Sequence, residues 1–447
     1  LLAVRPDIAA IEVLSVDLNG MFRSRQLARA TAANLYRRGV PGSGATTLMN
    51  SLGEPCREIG YGSGDGDPDH LLRPVPGTLV PVPWLESGPA QVLCSWYHGG
   101  GEPLAWDPRH RLQAVVDQFT ALGLQPVVAL EIEFYLLADG SEHNPRPRLP
   151  RIRGTSMSQP GAQYAAQEDL WDYDAFLSDV RAACALQGLP ATTVHSEYAP
   201  GQFEINLHHL PDPLLACDHA LLLKRLIKGV ARQHGMAASF MAKPFVDLAG
   251  SGLHVHLSLR DGDGVLVFAP GGDAGPGALA QPLRHALGGL LAVMPEAQLI
   301  CAPNANSYRR LRGGSFAPRR QDWASNHRAV ALRLPLGDPA DPRLEHRVAG
   351  ADANPYLVMA AVLAGIHYGM TQGIEPPPPQ GCADAPEPPP LPSSWTAALA
   401  AAEAAQILPA YFTEDYWRLY WRVRADEYER YSAEVPDTDY RWYLRNV

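Results

Sequence analysis

The run Val127-Val-Ala-Leu-Glu131-Ile-Glu133-Phe-Tyr-Leu-Leu137 constrains this chain more than any other stretch. It reads as a strand that is apolar apart from two acids, and a spacing of two places Glu131 and Glu133 on one face. Two carboxylates that close in a half-buried place repel, so one keeps its proton unless a cation lies between them. The pattern recurs. Thr193-Val-His-Ser-Glu197-Tyr-Ala-Pro-Gly-Gln-Phe-Glu204-Ile-Asn-Leu-His208 reads as two strand-like pieces around a Pro200-Gly201 turn, with Glu204 and Asn206 facing away from Phe203, Ile205 and Leu207. Gly250-Ser-Gly-Leu-His254-Val-His256-Leu-Ser258-Leu sets His254, His256 and Ser258 on one face, and Arg343-Leu-Glu345-His-Arg347 lines up a cation, a carboxylate and a cation. Any one of these is ordinary as a solvated stripe or a core histidine. Together they point to one site.

Glu131, Glu133, Glu197, Glu204, Glu345 and His254 are hard, oxygen-rich donors that suit Mg²⁺ or Mn²⁺ better than zinc or copper. So many ligands serve two ions, and paired ions usually handle phosphoryl groups. Arg310, Arg328, Arg333, Arg343 and Arg347 fit the same chemistry, because guanidinium forks bind phosphate and carboxylate bidentately. The chain has no G-x-x-x-x-G-K-[ST] and no G-x-G-x-x-G, so no glycine loop of those kinds cradles a nucleotide. The residues alone lead to a two-metal enzyme acting on a nucleotide phosphate and an anionic substrate. An unrelated Mg²⁺-dependent phosphohydrolase stays open at this point.

The totals narrow the class. At 447 residues, with 46% hydrophobic and 19% charged residues, the chain has material for roughly three average domains, or for one small and one large. A net charge of −10 argues against a nucleic-acid partner. Cys56, Cys94, Cys184, Cys217, Cys301 and Cys382 are scattered without a C-x-x-C, as in an enzyme with reduced thiols. There is no apolar run long enough for a membrane span and no signal-peptide pattern, so the expectation is a cytoplasmic protein with no membrane partner.

The first unit is expected over 1–105. Ile11 to Gly20 reads as a strand closed by an Asn-Gly turn, with Met21 to Leu27 as its hairpin partner. A short helix ends at Gly39, a glycine- and aspartate-rich loop runs from Gly60 to Asp69, and Val75–Trp84 and Ala90–Trp96 read as strands, the first at an edge because of its prolines. Asp107-Pro108 opens a helix as N-cap and first helical residue, and the second unit is expected over 106–447. There, helices are expected at Asp172–Gln187, Pro213–His234, Leu283–Ala292, Asn354–Gly369 (small residues, for close packing) and Phe412–Tyr431. Asp261–Gly277 reads as a loop and Pro376–Pro392 as an arm over the surface.

Taken together, Glu131-Ile-Glu133-Phe, Glu197 with Gly-Gln-Phe-Glu204, Gly250-Ser-Gly-Leu-His254-Val-His256, Asn306-Ser-Tyr-Arg-Arg310, Asn326-His-Arg328 and Arg343-Leu-Glu345-His-Arg347 with Asn354-Pro-Tyr are similar to the motifs of the glutamine synthetase family, and in the family's order. Asp17-Leu-Asn-Gly20, Gly66-Asp-Pro-Asp69 and Pro74-Val-Pro-Gly-Thr78 resemble its γ-glutamylpolyamine (γ-glutamylputrescine) synthetase branch. The resemblance implies an α+β fold, with a small N-terminal β-grasp-like domain and a large catalytic α/β domain carrying a curved antiparallel sheet. It implies that Glu133, Glu197 and Glu204 hold one ion and that Glu131, His254 and Glu345 hold the other. Arg310 and Arg347 would clamp glutamate near Gly250, Arg328 would meet the transferring phosphoryl group with Arg333 in support, and His256, Ser258 and Arg343 would contact ATP. Arg328, Arg347 and Glu345 are the expected catalytic residues. It further implies a homo-oligomeric ring, a hexamer or dodecamer, in which the Asp65–Asp69 loop serves a neighbour's site. Separately, for a diamine or polyamine acceptor, Asp65, Asp67 and Asp69 are candidate counter-charges for the far ammonium, with a solvated loop as the alternative.

Two departures bear on the substrate. Where ammonia-using members carry a Glu before Ala-Pro, this chain has Phe316, and where they carry an Asn in the Asn-Gly-Ser-Gly run it has Ala249. The expected reaction is therefore ATP-dependent ligation of glutamate to an organic amine through γ-glutamyl phosphate. An ammonia-using glutamine synthetase and a non-catalytic scaffold relative are the alternatives.

Overall fold

The structure is a computed structural model describing residues 1–141, 146–151, 164–270, 278–312, 316–337, 342–382 and 386–447. In the N-terminal part, β1 (Ala10–Val16) turns back into β2 (Phe22–Ala28) through Asn19-Gly20, with Gly20 at φ +75°. A helix, α1 (Ala32–Arg38), stops at Gly39, as expected. β3 (Val40–Ser43), β4 (Asp69–Pro74), β5 (Val80–Pro81) and β6 (Ala90–Tyr97) complete a six-stranded sheet of order β2-β1-β6-β4-β3, with β5 beside β6. The expected Val75–Trp84 strand shrinks to Val80–Pro81, since Pro76, Pro81 and Pro83 remove ladder donors. β3 and β4 were not foreseen. Asp69, read as loop, begins β4.

Asp107 joins this part to the rest. One carboxylate oxygen caps α2 (Pro108–Ala121) by accepting the Arg109 N–H at 2.8 Å, and the other accepts the Trp96 N–H of β6 at 2.8 Å. Beyond it lies an eight-stranded sheet made of β7 (Leu124–Ala138), β8 (Ala191–Ser196), β9 (Gln202–Leu207), β10 (Met236–Ser239), β11 (Leu253–Asp261), β12 (Trp323–Ser325), β13 (Leu332–Leu334) and β14 (Leu344–His346). The order is β12-β13-β14-β11-β7-β9-β8 with β10 beside β7, antiparallel except for β12 and β13. β7 is long enough to pair with β11 along one half and β10 along the other.

The helices are α3 (Gln167–Asp172), α4 (Asp174–Gln187), α5 (Pro213–Gln233), α6 (Gln281–Cys301), α7 (Ser307–Arg310), α8 (Pro355–Gln372), α9 (Trp395–Glu403), α10 (Leu408–Phe412), α11 (Glu414–Ala433) and α12 (Asp437–Tyr443). α6 runs past the expected end at Ala292 and through Pro295, because Ala297, Leu299 and Ile300 are buried beyond it and outweigh the missing N–H. The expected helix Asp172–Gln187 is α4, and α3, which precedes it, was not foreseen. Part of the expected 261–277 loop (271–277), and residues 383–385 of the proline-rich arm, lie outside the described residues. The rest of that arm lies along 319–323: the Trp323 indole N–H donates to the Pro377 carbonyl at 2.7 Å, and the Leu391 N–H to the Arg319 carbonyl at 2.9 Å. α11 packs through Tyr416, Trp417, Tyr420 and Val423. Among the described residues no helix is long and apolar enough to cross a membrane.

One apolar cluster runs through both sheets, from Ile11 and Val13 of β1 to Val128, Leu130, Ile132 and Phe134 of β7 and on into α5, α6 and α8. Those β7 residues fill one face of the large sheet. The acids between them take the other. α6 and α8 touch along a glycine seam, the close packing that the small residues of 354–369 foretold. A Cβ on Gly289 would lie 2.1 Å from the Gly365 carbonyl oxygen, and one on Gly369 would lie 2.0 Å from that of His285. Gly289→Ala must force the helices apart and is expected to lower stability by about 1–3 kcal/mol, read as a reduced urea midpoint at unchanged slope.

Candidate active site

Strand register brings the candidate residues together. His254 of β11 stands opposite Glu131 of β7, Glu133 opposite Glu204 of β9, and Glu204 opposite His195 of β8. On the other side, His256 of β11 stands opposite Glu345 of β14, and Glu345 opposite Arg333 of β13. Five strands thus project acids and histidines from one face of the sheet.

The ligand atoms converge in three triads, each with its atoms within 4.8 Å of one another: Glu131, His254 and Glu345; Glu133, Glu204 and His254; and His195, Glu197 and Glu204. The first is the second set that the family resemblance implies. The other set, Glu133, Glu197 and Glu204, is spread over the remaining two triads, which His254 and His195 complete. His195 was missed in the sequence. Its one signal was its position two residues before Glu197.

Pairwise distances show how tightly the acids are held. His254 Nδ1 lies 3.3 Å from Glu131 Oε2 and 3.7 Å from Glu345 Oε1, and His256 Nε2 lies 2.8 Å from Glu131 Oε1. His195 Nε2 lies 3.0 Å from Glu197 Oε1 and 3.6 Å from Glu204 Oε1. Glu345 is buried between two arginines. Arg333 Nη1 donates to it at 2.8 Å and Arg347 Nη1 to its other oxygen.

These surroundings push the carboxyls in opposite directions. Burial works against ionised Glu131, but the hydrogen bonds of His254 and His256 outweigh it and hold its pKa below the usual range. Glu345 also goes down, since His254 and Arg347 overcome its burial. Glu204 is pushed up to about 9 by burial and then by Glu131, Glu133 and Glu197. Glu133 rises through burial and the charge of Glu197, against the pull of His254 and Arg310 and the Gly252 N–H that donates to it at 2.8 Å. One end of the face is neutralised by the protein's own cations. At the other, acids crowd with too little positive charge, a deficit that a divalent cation with oxygen preference would fill.

Glycines make room for this arrangement. A Cβ on Gly252 would lie 2.8 Å from His254 Nε2 and 2.9 Å from Arg310 Nη2, and one on Gly250 would lie 2.8 Å from Arg310 Cγ. Arg310 is buried, and its guanidinium donates to the Val348 carbonyl at 2.8 Å and the Arg347 carbonyl at 3.3 Å. Arg347 Nε donates to the Arg328 carbonyl at 3.1 Å, while the Arg328 side chain is exposed. Arg333 Nη2 donates at 3.1 Å to Asn326, which sits at φ +48° in the turn that presents Arg328. Ser258 is buried further along β11, and half-buried Arg343 leads into β14.

Phe316 is exposed and faces Tyr198, while Gly314 and Ser315 lie outside the described residues. Ala249 accepts a 2.6 Å hydrogen bond from the Tyr135 hydroxyl at its carbonyl. Asp67 and Asp69 are not brought to the cluster within one chain. Asp67 accepts from the Ser43 hydroxyl at 2.6 Å, and Asp69 pairs with β3. A cavity of about 900 Å³ beside Asp139, Arg151, Tyr173 and His234 holds none of the cluster's acids.

Fold and site together define a protein whose largely antiparallel sheet carries an acidic cluster able to hold metal ions. The catalytic-domain profile of glutamine synthetase matches residues 105–443, and the chain belongs to the glutamine synthetase family. It is 36% identical over 448 aligned residues to the γ-glutamylputrescine synthetase of Escherichia coli, covering 99% of this chain and 93% of that one. It is 35% identical over 376 residues to a glutamate–isopropylamine ligase of a Pseudomonas species, covering 83% and 80%. The solved structure of ligand-free GmaS superposes with a TM-score of 0.83 at 25% identity, over 99% of this chain and 98% of that one. The glutamine synthetase-like fold expected from the motifs is the fold observed.

The raised Glu204 gives a signed pH dependence. Its folded pKa of about 9 lies above the ordinary 4.5, so between those values the unfolded chain gives up the proton first. The ion-free protein should therefore lose stability as pH rises from 5 to 8.5, by up to about 1.4 kcal/mol per pH unit. Urea unfolding in chelator should show this slope reduced in Glu204→Gln.

Proposed function

We propose that the chain is an ATP-dependent carbon–nitrogen ligase that joins the γ-carboxylate of glutamate to an organic amine through a γ-glutamyl phosphate. The observation that carries this reading is the convergence of Glu131, Glu133, Glu197, Glu204, Glu345 and His254 on one sheet face beside buried arginines. The donor set fits Mg²⁺ or Mn²⁺, two or more ions per site: oxygen-rich, and with more acid than the nearby cations neutralise. When bound, such ions neutralise phosphoryl charge. Glu131, His254 and Glu345 would hold one, and Glu133, Glu197 and Glu204 the other.

The chain's own residues do the rest. Glu345 fixes Arg333 and Arg347 in place, so both guanidiniums are oriented before substrate arrives. Arg310 and Arg347 are read as the glutamate clamp, with Gly250 leaving Arg310 its space. Exposed Arg328 is read as the group that meets the transferring phosphoryl. His256, Ser258, Arg333 and Arg343 are read as nucleotide contacts. Phosphorylation gives the γ-carboxylate a leaving group, and the amine nitrogen then displaces phosphate as its surplus proton passes to a base or solvent. Water must be kept away from the acyl phosphate.

An organic amine is favoured over ammonia because Phe316 and Ala249 stand where ammonia-using members carry a Glu and an Asn, and because the relatives above are named for organic amines. We read the assembly as a homo-oligomeric ring in which the Asp65–Asp69 loop faces a neighbour's site; within the chain Asp67 contacts Ser43 and Asp69 pairs with β3.

Two measurements test these assignments. With ATP, Mg²⁺ and glutamate, phosphate release over ammonia, ethylamine, ethanolamine, benzylamine, putrescine and spermidine should be fastest with an organic amine, and ammonia outrunning all of them ends the proposal. Joint replacement Asp67→Asn and Asp69→Asn should raise KM for putrescine and leave that for ethylamine unchanged; equal effects would mean a merely solvated loop.

A further inference from the structure

We infer that Asp352 is a positioning residue for the glutamate clamp, fixing α7 so that Arg310, at the end of that helix, reaches the substrate; this rests on the ligase reading above. α7 is four residues long, too short to hold its own place by helix hydrogen bonds. Its position is set by side chains around its first turn. Asn304 Oδ1 accepts the N–H groups of Asn306 and Ser307 at 2.9 and 3.3 Å. Asn306 exchanges two hydrogen bonds with the Lys243 backbone, at 2.8 and 2.9 Å.

Asp352 ties this turn to the site. Its Oδ2 accepts from the Asn304 amide at 2.9 Å and from the Ser307 hydroxyl at 2.8 Å. The same stretch of chain holds the far end of α7, where the Arg310 guanidinium donates to the Val348 and Arg347 carbonyls. That stretch is itself anchored. The Gly350 N–H donates to the Cys301 carbonyl at the end of α6, and the Ala351 N–H to the Ser251 carbonyl just before β11, both at 3.0 Å. Residues 347–352 thus grip α7 at both ends and set it relative to the strand that carries His254.

The second oxygen of Asp352 separates this role from ordinary fold support. Oδ1 is buried without a hydrogen-bond partner among the described residues, in a space kept by Gly350, where a Cβ would lie 2.5 Å from it. Burial raises the Asp352 pKa, with Ser307, Asn304 and Lys224 pulling the other way; Lys224 Nζ donates to the Ala351 carbonyl at 2.7 Å. A carboxylate left half satisfied costs stability. What it contributes is order at Arg310, since a guanidinium fixed before glutamate arrives loses less freedom on binding.

Phosphate release with ATP, Mg²⁺ and the best acceptor of the amine panel gives KM for each substrate, and calorimetry with a non-hydrolysable ATP analogue gives glutamate affinity. In the full-length protein, Asp352→Ala should raise glutamate KM about tenfold, weaken glutamate binding to match, and leave KM for ATP and amine unchanged. Asp352→Asn keeps an acceptor oxygen for Asn304 and Ser307, so its glutamate KM should stay within about threefold of the wild type. Because Asp352 acts through Asn304, adding Asn304→Ala to Asp352→Ala should raise glutamate KM no further. If Asp352→Ala does not fold, Ser307→Ala removes one of the two bonds and should raise glutamate KM about threefold. Unchanged glutamate KM in the variant that folds overturns the inference, as does an equal rise in KM for ATP. So does an Asp352→Asn defect as deep as that of Asp352→Ala, or full additivity in the double variant. Weakened glutamate binding without glutamate-dependent turnover would keep the positioning role and remove the ligase reading. Glutamate-dependent turnover with unaltered glutamate KM would do the reverse.

Discussion

Mutual repulsion among buried carboxylates is the constraint on which the rest of this structure depends. Glu131, Glu133, Glu197, Glu204 and Glu345 come from three strands and one turn, and solvent is too scarce around them to screen their charge. The protein answers at one end with its own imidazoles and guanidiniums. His254 and His256 face Glu131, while Arg333 and Arg347 embrace Glu345. At the other end the answer is incomplete, so Glu133 and Glu204 rise rather than fall. An arrangement that costs free energy when empty is poised to bind ions strongly.

The sheet can carry this load because its opposite face is secured elsewhere. Val128, Leu130, Ile132 and Phe134 of β7 are fully buried against the helices, and alternation then leaves the intervening acids no choice of side. The helix layer is held in turn by contacts that tolerate little change, the glycine seam of α6 and α8 above all. Arg310 reaches the site through the same kind of economy of space, threading past Gly250 and Gly252. Site and scaffold are thus specified by shape on one side and by charge on the other.

Much of this was legible in the chain because period-two spacing is a strong local signal. Glu131 with Glu133, and His254 with His256, shared a face before any strand was paired. The caps at Asp107 and Gly39 and the hairpin at Asn19-Gly20 announced themselves through residue chemistry. What could not be read was pairing across the sequence. Nothing local says that His195 lies opposite Glu204, nor that His254 comes together with Glu133 and Glu204 as well as with Glu131 and Glu345. β3 and β4 escaped for another reason, since their Pro, Gly and Asp residues weaken the strand signal and only pairing partners override it. α6 exceeded its expected length because burial beyond Pro295 decided the matter.

β14 is three residues long and joins the large sheet late in the chain, yet it supplies Glu345 and fixes Arg333 and Arg347 around it. Closing so distant a contact is slow, because a long loop must be ordered before the pairing rewards it. During synthesis, β7, β9 and β11 emerge and can pair well before β14 exists. A ribosome-bound fragment ending ahead of β14 would hold crowded acids with neither arginine in place, so the assembly of a working centre waits for one of the shortest strands to arrive.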